Sequence, residues 1–237
     1  PGMKEVFAYY NEQDVSLIEN VEWIEADIMN YQDLLDAMEG IDEVYHCAAI
    51  VSFDPSDRVK MIQNNRVGTA NIVNAALECG VRKLLHVSST AAIGIAPDGM
   101  LADESMIWSE SRMNTAYSIS KFHSEMEVCR GIQEGLKAVI VNPSIILGPG
   151  FWDHGSSSIF TKIYKGLKFY INGVTGYVSV WDVVNTMVLL MESEIEGERF
   201  IVSSENLSYK QVFGRVAEAL GKKKPSIAGT PLLTELA

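Results

Sequence analysis

Lys83-Leu84-Leu85-His86-Val87-Ser88 is a short, mostly apolar run that leads into Ser89-Thr90. Its length and composition suit a strand buried on both faces, the kind found inside a parallel sheet. The next periodic segment is helical. After a loop containing Gly and Asp, residues from about Thr115 to Gln133 read as a helix ended by Gly135, and Leu136 to Asn142 read as the next strand.

The same alternation runs upstream. Asp57 to Cys79 is a long helical segment with Val67, Ile72, Val73, Ala76 and Leu77 on its apolar side and Gly80 as its stop. Asp42 to Ala49 reads as a strand ending in small residues, preceded by a short helix, Tyr31 to Met38, capped by Asn30 and stopped by Gly40. Val21 to Asp27 alternates apolar and polar residues as a half-exposed strand does, and Lys4 to Tyr10 reads as the end of a helix. Strand and helix in repetition predict βαβ crossovers and an α/β fold with a doubly wound parallel sheet. After Pro143 the character changes. Gly148-Pro149-Gly150 and Asp153 to Ser158 are rich in turn residues. Val180 to Met191 reads as a helix, Arg199 to Val202 as a strand, and Ser208-Tyr209-Lys210-Gln211 as a capping box opening a helix that ends at Gly221.

Composition narrows the function. The chain has 237 residues, 47% apolar and 21% charged, which is ordinary for a globular protein with a sizeable core. A net charge of -12 argues against nucleic acid or an anionic membrane as the main partner. It leaves room for an anionic cofactor, because helix ends and backbone amides bind phosphate locally. Cys47, Cys79 and Cys129 are widely spaced and form no Cys-x-x-Cys pair, so no metal site is expected and reduced thiols in a cytoplasmic protein are. Pro1-Gly2-Met3 carries no signal-peptide pattern.

The chemistry is written in Thr115-Ala116-Tyr117-Ser118-Ile119-Ser120-Lys121. Residues four apart share a helix face, so Tyr117 and Lys121 point into one site. A lysine cation beside a phenol is expected to favour the phenolate and lower its pKa, which would suit Tyr117 to proton transfer. A serine at a nearby strand end, Ser89, would hydrogen-bond the substrate oxygen. Spacing alone is weak evidence, since Tyr164 and Lys168 repeat it. That second pair encloses Gly166 and lacks flanking strands, so it reads as surface helix. Ligands of open α/β sheets bind beyond the carboxyl ends of the strands, where Ser89 lies.

Four motifs in this order resemble one family. They are Ser88-Ser89 with Gly94 five residues after Ser89, Tyr117-x-x-x-Lys121, Asn142-Pro143-Ser144-Ile145-Ile146-Leu147-Gly148-Pro149-Gly150, and Asn65-Arg66-Val67-Gly68-Thr69-Ala70-Asn71. Together they resemble extended short-chain dehydrogenase/reductases, within them the NAD-dependent epimerase/dehydratase group and especially its dihydroflavonol-4-reductase-like branch. The resemblance implies a Rossmann-type core with a smaller C-terminal substrate lobe, and NAD or NADP as cofactor. It implies Ser89, Tyr117 and Lys121 as the catalytic residues, with Lys121 also binding the nicotinamide ribose. Asp27 matches the carboxylate that contacts the adenine amino group, and Ile28 would pack on that ring. The alternative for Asp27 is a cap for the turn before the next helix. Cys47, Ala48 and Ala49 fall where small residues pass close to the cofactor, or they are ordinary core. Pro143 and Ile146 match positions beside the nicotinamide, and Asn142 is a candidate substrate contact or a strand-end polar group. Asn65 matches a structural asparagine tying the central helix to the active-site strand.

Two departures stand out. The family opens with a strand and Gly-x-x-Gly-x-x-Gly, whose amides hold the pyrophosphate. Here Gly2 stands alone and the next glycine is Gly40. The first βαβ unit is therefore expected to be missing from this sequence, and this stretch alone is expected to bind dinucleotide poorly. Ser179 and Trp181 also replace the Asp and Arg of the family's Val-Asp-Val-Arg-Asp segment. The expected division is a dinucleotide-binding core over 1–147 and a substrate lobe over 148–237, with 177–191 returning to the core. The expected function is reduction of a ketone or oxidation of a secondary alcohol. The alternatives are a nucleotide-sugar epimerase or dehydratase and a non-catalytic dinucleotide-binding regulator. Expected partners are a small-molecule substrate and a second copy in a homodimer, with no nucleic acid and no membrane.

Overall fold

The computed structural model describes residues 2–10, 16–96 and 100–229. In chain order its elements are α1 (Gly2–Tyr10), α2 (Tyr31–Met38), β1 (Glu43–His46), α3 (Arg58–Glu78), β2 (Lys83–Val87), α4 (Ala116–Gln133), β3 (Ala138–Pro143), β4 (Ile145–Leu147), α5 (Ser158–Tyr164), β5 (Phe169–Tyr170), β6 (Val174–Ser179), α6 (Val180–Glu192), β7 (Arg199–Val202), β8 (Glu205–Ser208), α7 (Tyr209–Ala219) and β9 (Ile227–Ala228). They fall into two units.

The larger unit comprises Ile24–Pro143 and Asp182–Val202. Its sheet has the order β1-β2-β3-β7, and every pairing is parallel. β3 is buried along its whole length, and β2 is buried except at Val87. Leu84, Ala138 and Ile140 join Ile72, Val73, Ala75 and Ala76 of α3 and Val128 of α4 in one apolar core. Val67, expected on the apolar side of α3, is 37% exposed, whereas Ile72, Val73 and Ala76 are buried. Asn30 caps α2 as expected, its side-chain oxygen accepting from Gln32 N.

The Asn65-to-Asn71 motif explains how α3 is held. Asn65 Oδ1 accepts from Ile50 N at 2.7 Å, and its Nδ2 donates to Ile50 O and to Ser120 Oγ. The asparagine thus ties α3 to the segment after β1 and to α4. Thr69 Oγ1 lies 3.0 Å from His46 Nε2, and Asn71 Nδ2 donates to Ile28 O. Gly68 is needed for closeness, because a Cβ there would lie 2.5 Å from Ile28 Cδ1.

The expected strand over Val21–Asp27 is not formed. Alternation suits a sheet edge, but a strand exists only through a partner's hydrogen bonds. No described strand pairs with this segment, and Trp23 and Ile24 stay exposed. The division of the chain also differs from expectation. The break falls after Pro143, and the segment that rejoins the sheet-bearing unit is Asp182–Val202. β6 pairs instead with β4 and β8, and Tyr177 packs into the core of the other unit.

That second unit comprises Pro1–Trp23, Ser144–Trp181 and Ser203–Ala237. It contains the sheet β4-β6-β8, the pair β5-β9, and a core of Ile163, Tyr177, Val212, Phe213, Val216 and Ala217. The capping box of α7 is present, with Ser208 and Gln211 satisfying each other's backbone. The two residues that replace the family's Asp and Arg have local roles here: Ser179 Oγ accepts from Trp181 N, and Trp181 packs edge-on against Tyr10 at 4.9 Å. Tyr164 ends α5 and is exposed, and Gly166 follows at φ 91°, so Lys168 lies outside the helix.

Candidate active site

Three adjacent parallel strands end at one edge of the larger unit's sheet. β1 runs into Cys47-Ala48-Ala49, β2 into Ser88-Ser89, and β3 ends on Asn142-Pro143. Opposite residues of neighbouring strands point the same way, and His46 pairs with His86 and Val87 with Val141 in register. The register brings these strand ends together by backbone geometry alone.

At the end of β2 the two serines part. Ser88 is buried and donates to Glu125 Oε2 at 2.8 Å, whereas Ser89 is half-buried and caps a short turn, accepting from Ala91 N. The Ser89 hydroxyl stands beside the Tyr117 phenol and lowers its pKa. Thr115 caps α4 by accepting from Ser118 N, which places Tyr117 in the first turn. Lys121, one turn on, is 4% exposed and donates from Nζ to Val87 O at 2.7 Å.

The electrostatics differ from the sequence expectation. Burial raises the Tyr117 phenol above its ordinary 10, and the Ser89 hydroxyl opposes this by lowering it. Lys121, though one turn away, is not among the groups that act on the phenol, and it is itself buried. Desolvation brings its pKa down to about 8, although Glu125 and Cys47 raise it. The ammonium spends a hydrogen bond on Val87 O, and the phenol rests as the neutral acid.

The other expected residues separate into groups. Cys47 and Ala48 are exposed and Ala49 half-buried, so they form a small-residue surface at the end of β1 and are not core. Asp27 is exposed, and its Oδ1 accepts from Met29 N, the turn-capping role. Ile28 is half-buried against Gly68. Pro143 is buried at the end of β3, and Ile146 is a half-buried residue of β4 in the other unit. Asn142 lies deeper than these residues. It is 0% exposed, and its Nδ2 donates to Ser89 O and to Glu125 Oε2, both at 2.9 Å. A side chain so enclosed ties the end of β2 to β3 and α4, the strand-end polar role.

Sequence reasoning missed Glu125, Arg199 and Phe53. Glu125 had a signal: it lies four residues beyond Lys121, on the helix face that also carries Tyr117. Phe53 is 78% exposed, yet its ring lies 5.9 Å from that of Tyr117. No periodicity announces a loop aromatic of this kind. Among the described residues there is no group of three or more His, Cys, Asp or Glu placed to hold a metal, and no helix is long and apolar enough to cross a membrane.

The model of the NAD dependent epimerase/dehydratase family matches residues 4–203. The chain belongs to that family. It is 32% identical to sterol demethylase protein B of Methylococcus capsulatus over 94% of this chain and 69% of that protein. It is 30% identical to a putative dihydroflavonol 4-reductase of Synechocystis over 86% of this chain and 61% of the relative. It is also 32% identical to cinnamoyl-CoA reductase 1 of Petunia hybrida, over 84% and 61%. The chain thus spans between 61% and 69% of the length of these relatives. Among solved structures it superposes on gox2253 with a TM-score of 0.82 at 33% identity, covering 91% of this chain and 67% of that one. With the UDP-glucose 4-epimerase of Thermus thermophilus in complex with NAD the TM-score is 0.75 at 25% identity, over 95% and 81%. The α/β architecture with its parallel sheet is the Rossmann type of these neighbours.

Proposed function

We propose that this chain carries the catalytic half of an NAD(P)-dependent oxidoreductase that reduces a ketone or oxidises a secondary alcohol. The observation that carries the reading is the Ser89 hydroxyl beside the Tyr117 phenol, with buried Lys121 one turn away, at the carboxyl ends of parallel strands. The residues fit the nicotinamide end of a dinucleotide. Lys121 offers a buried ammonium, Cys47 and Ala48 offer small exposed surfaces, and Pro143 closes β3. The exposed carboxylate of Asp27 fits an adenine amino group. A bound nicotinamide supplies or accepts the hydride.

The protein's own work is proton management. A substrate carbonyl oxygen accepts from the Ser89 and Tyr117 hydroxyls, which stabilise the negative charge that develops there. The Tyr117 proton then passes to that oxygen. Because burial keeps the phenol neutral, the site is poised for reduction at neutral pH. Alcohol oxidation needs the phenolate, so its rate rises with pH towards the raised Tyr117 pKa while ketone reduction falls. The exposed ring of Phe53 beside Tyr117 favours a substrate with an apolar ring next to its carbonyl over a nucleotide sugar.

Mixing the full-length protein with NADH or NADPH should change the cofactor's fluorescence, and the complex should reduce ring-bearing ketones. Tyr117→Phe should lower turnover by about 10²-fold or more while cofactor affinity is nearly unchanged. Absence of a cofactor signal would end the oxidoreductase reading, and an active Tyr117→Phe variant would end the assigned mechanism. Turnover of UDP-sugars alone would move the assignment to the epimerases.

A further inference from the structure

Behind Ser89 lies a chain of buried polar contacts that ends on the outermost strand of the sheet. Glu125 is 1% exposed, and all its neighbours lie in the same unit. Its Oε2 accepts from Ser88 Oγ at 2.8 Å and Asn142 Nδ2 at 2.9 Å, and its Oε1 accepts from Arg199 Nη1 at 2.9 Å. The second hydrogen of Asn142 Nδ2 goes to Ser89 O. Arg199 opens β7 and spends its remaining donors on the loop before α4: Nε and Nη2 reach Glu104 O, and Nη2 also reaches Met106 O. Glu104 returns the contact, its Oε1 accepting from Ile201 N at 2.8 Å.

A buried carboxylate needs compensation, and structure alone would be served more simply by apolar packing. This one is compensated by one cation and two neutral donors, and both neutral donors lie at the strand ends that form the site. We propose that Glu125 and Arg199 are positioning residues for the reaction: through Asn142 and Ser88 they fix where the Ser89 hydroxyl meets Tyr117. This rests on the function proposed above. It goes further by making the placement of the catalytic serine depend on a guanidinium at the far edge of the sheet.

The test uses the full-length protein with Glu125→Gln, Arg199→Lys and Arg199→Met. In Glu125→Gln, a side-chain oxygen can face Ser88 and Asn142 only if its NH2 group faces Arg199, so the link to β7 is lost. We expect kcat for ketone reduction to fall at least about tenfold, with KM changed less than about twofold, because misplacing a catalytic group costs rate more than binding. Arg199→Lys should lose less than Arg199→Met, since it retains a cation for Glu125. A second measurement needs no activity: in ligand-free protein labelled at the tyrosine ring carbon, the Tyr117 titration should move upward in Glu125→Gln as Ser89 drifts from it. A kcat within twofold of wild type, with only the melting temperature lowered, would overturn the proposal and leave the pair a stability role. An unchanged Tyr117 titration in folded Glu125→Gln would overturn it as well. If wild type reduces no ketone, the oxidoreductase reading fails, and the titration still decides whether Glu125 positions Ser89. If Glu125→Gln does not fold, the Lys-versus-Met order at Arg199 decides, and equal kcat in both would overturn the proposal.

Discussion

Burial holds the Lys121 pKa at about 8, against 10.5 for the free side chain. The charged form is therefore less favourable folded than unfolded. The penalty is complete below pH 8 and vanishes as pH rises towards 10.5, so this group makes the protein more stable with rising pH across that window. A shift of this size corresponds to about 3 kcal/mol, from which the lost bond to Val87 O removes about 1 kcal/mol. Lys121→Met is thus expected to raise stability at pH 7 by about 2 kcal/mol in urea titrations, with the gain shrinking by pH 10 and ketone reduction lost. The Tyr117–Lys121 spacing was legible in the sequence because helix periodicity is local. The direction of the Tyr117 shift was not, because it depends on how deeply strands and loops enclose the hydroxyl.

Strand β2 carries a second buried tension at the level of the element. The His86 ring lies 5.0 Å from that of His46, and neither His86 nitrogen has a hydrogen-bond partner. Burial lowers the pKa of His46 to about 4 and that of His86 well below 6.5, and the Lys121 charge adds to both shifts. Both rings must be neutral in the fold while the unfolded chain takes up protons below about pH 6.5. Stability is therefore expected to fall as pH drops from 6.5 through 4. His86→Phe, which removes two unpaired polar atoms, should raise the melting temperature and flatten its decline over that range. Elements with local signals were readable: the Asn30 cap, the capping box at Ser208 and the apolar run of β2 need no distant partner. Val21–Asp27 misled because alternation marks a segment able to pair, while pairing is settled by what lies beside it. The partners of the polar residues of α4 were silent: Ser120 and Ser124 bond to Asn65 of α3, and Glu125, whose helix face was readable, bonds to Ser88, Asn142 and Arg199, all far away in sequence.

At the scale of the whole molecule, the sequence conveyed the family and the parallel sheet, but not the path of the chain between its two units. The larger unit is built from two separate stretches, 24–143 and 182–202. Removing everything after Trp181 deletes all of α6 but its first two residues and all of β7, and exposes the flank of β3. Such a truncation should leave residues 24–143 protease-sensitive and without a cooperative thermal transition. A sharp transition in that fragment would show that the first three strands suffice.

Arg199 also has a place in time. A chain emerging from the ribosome presents Glu125 some seventy residues before its guanidinium partner exists, so the carboxylate must wait in water until β7 is made. Closing such a distant contact is slow relative to local helix formation. The Ser89–Tyr117 pair can therefore acquire its final spacing only after the chain has left the sheet, built most of another unit and come back. Competence for chemistry is then among the last properties this fold acquires during synthesis.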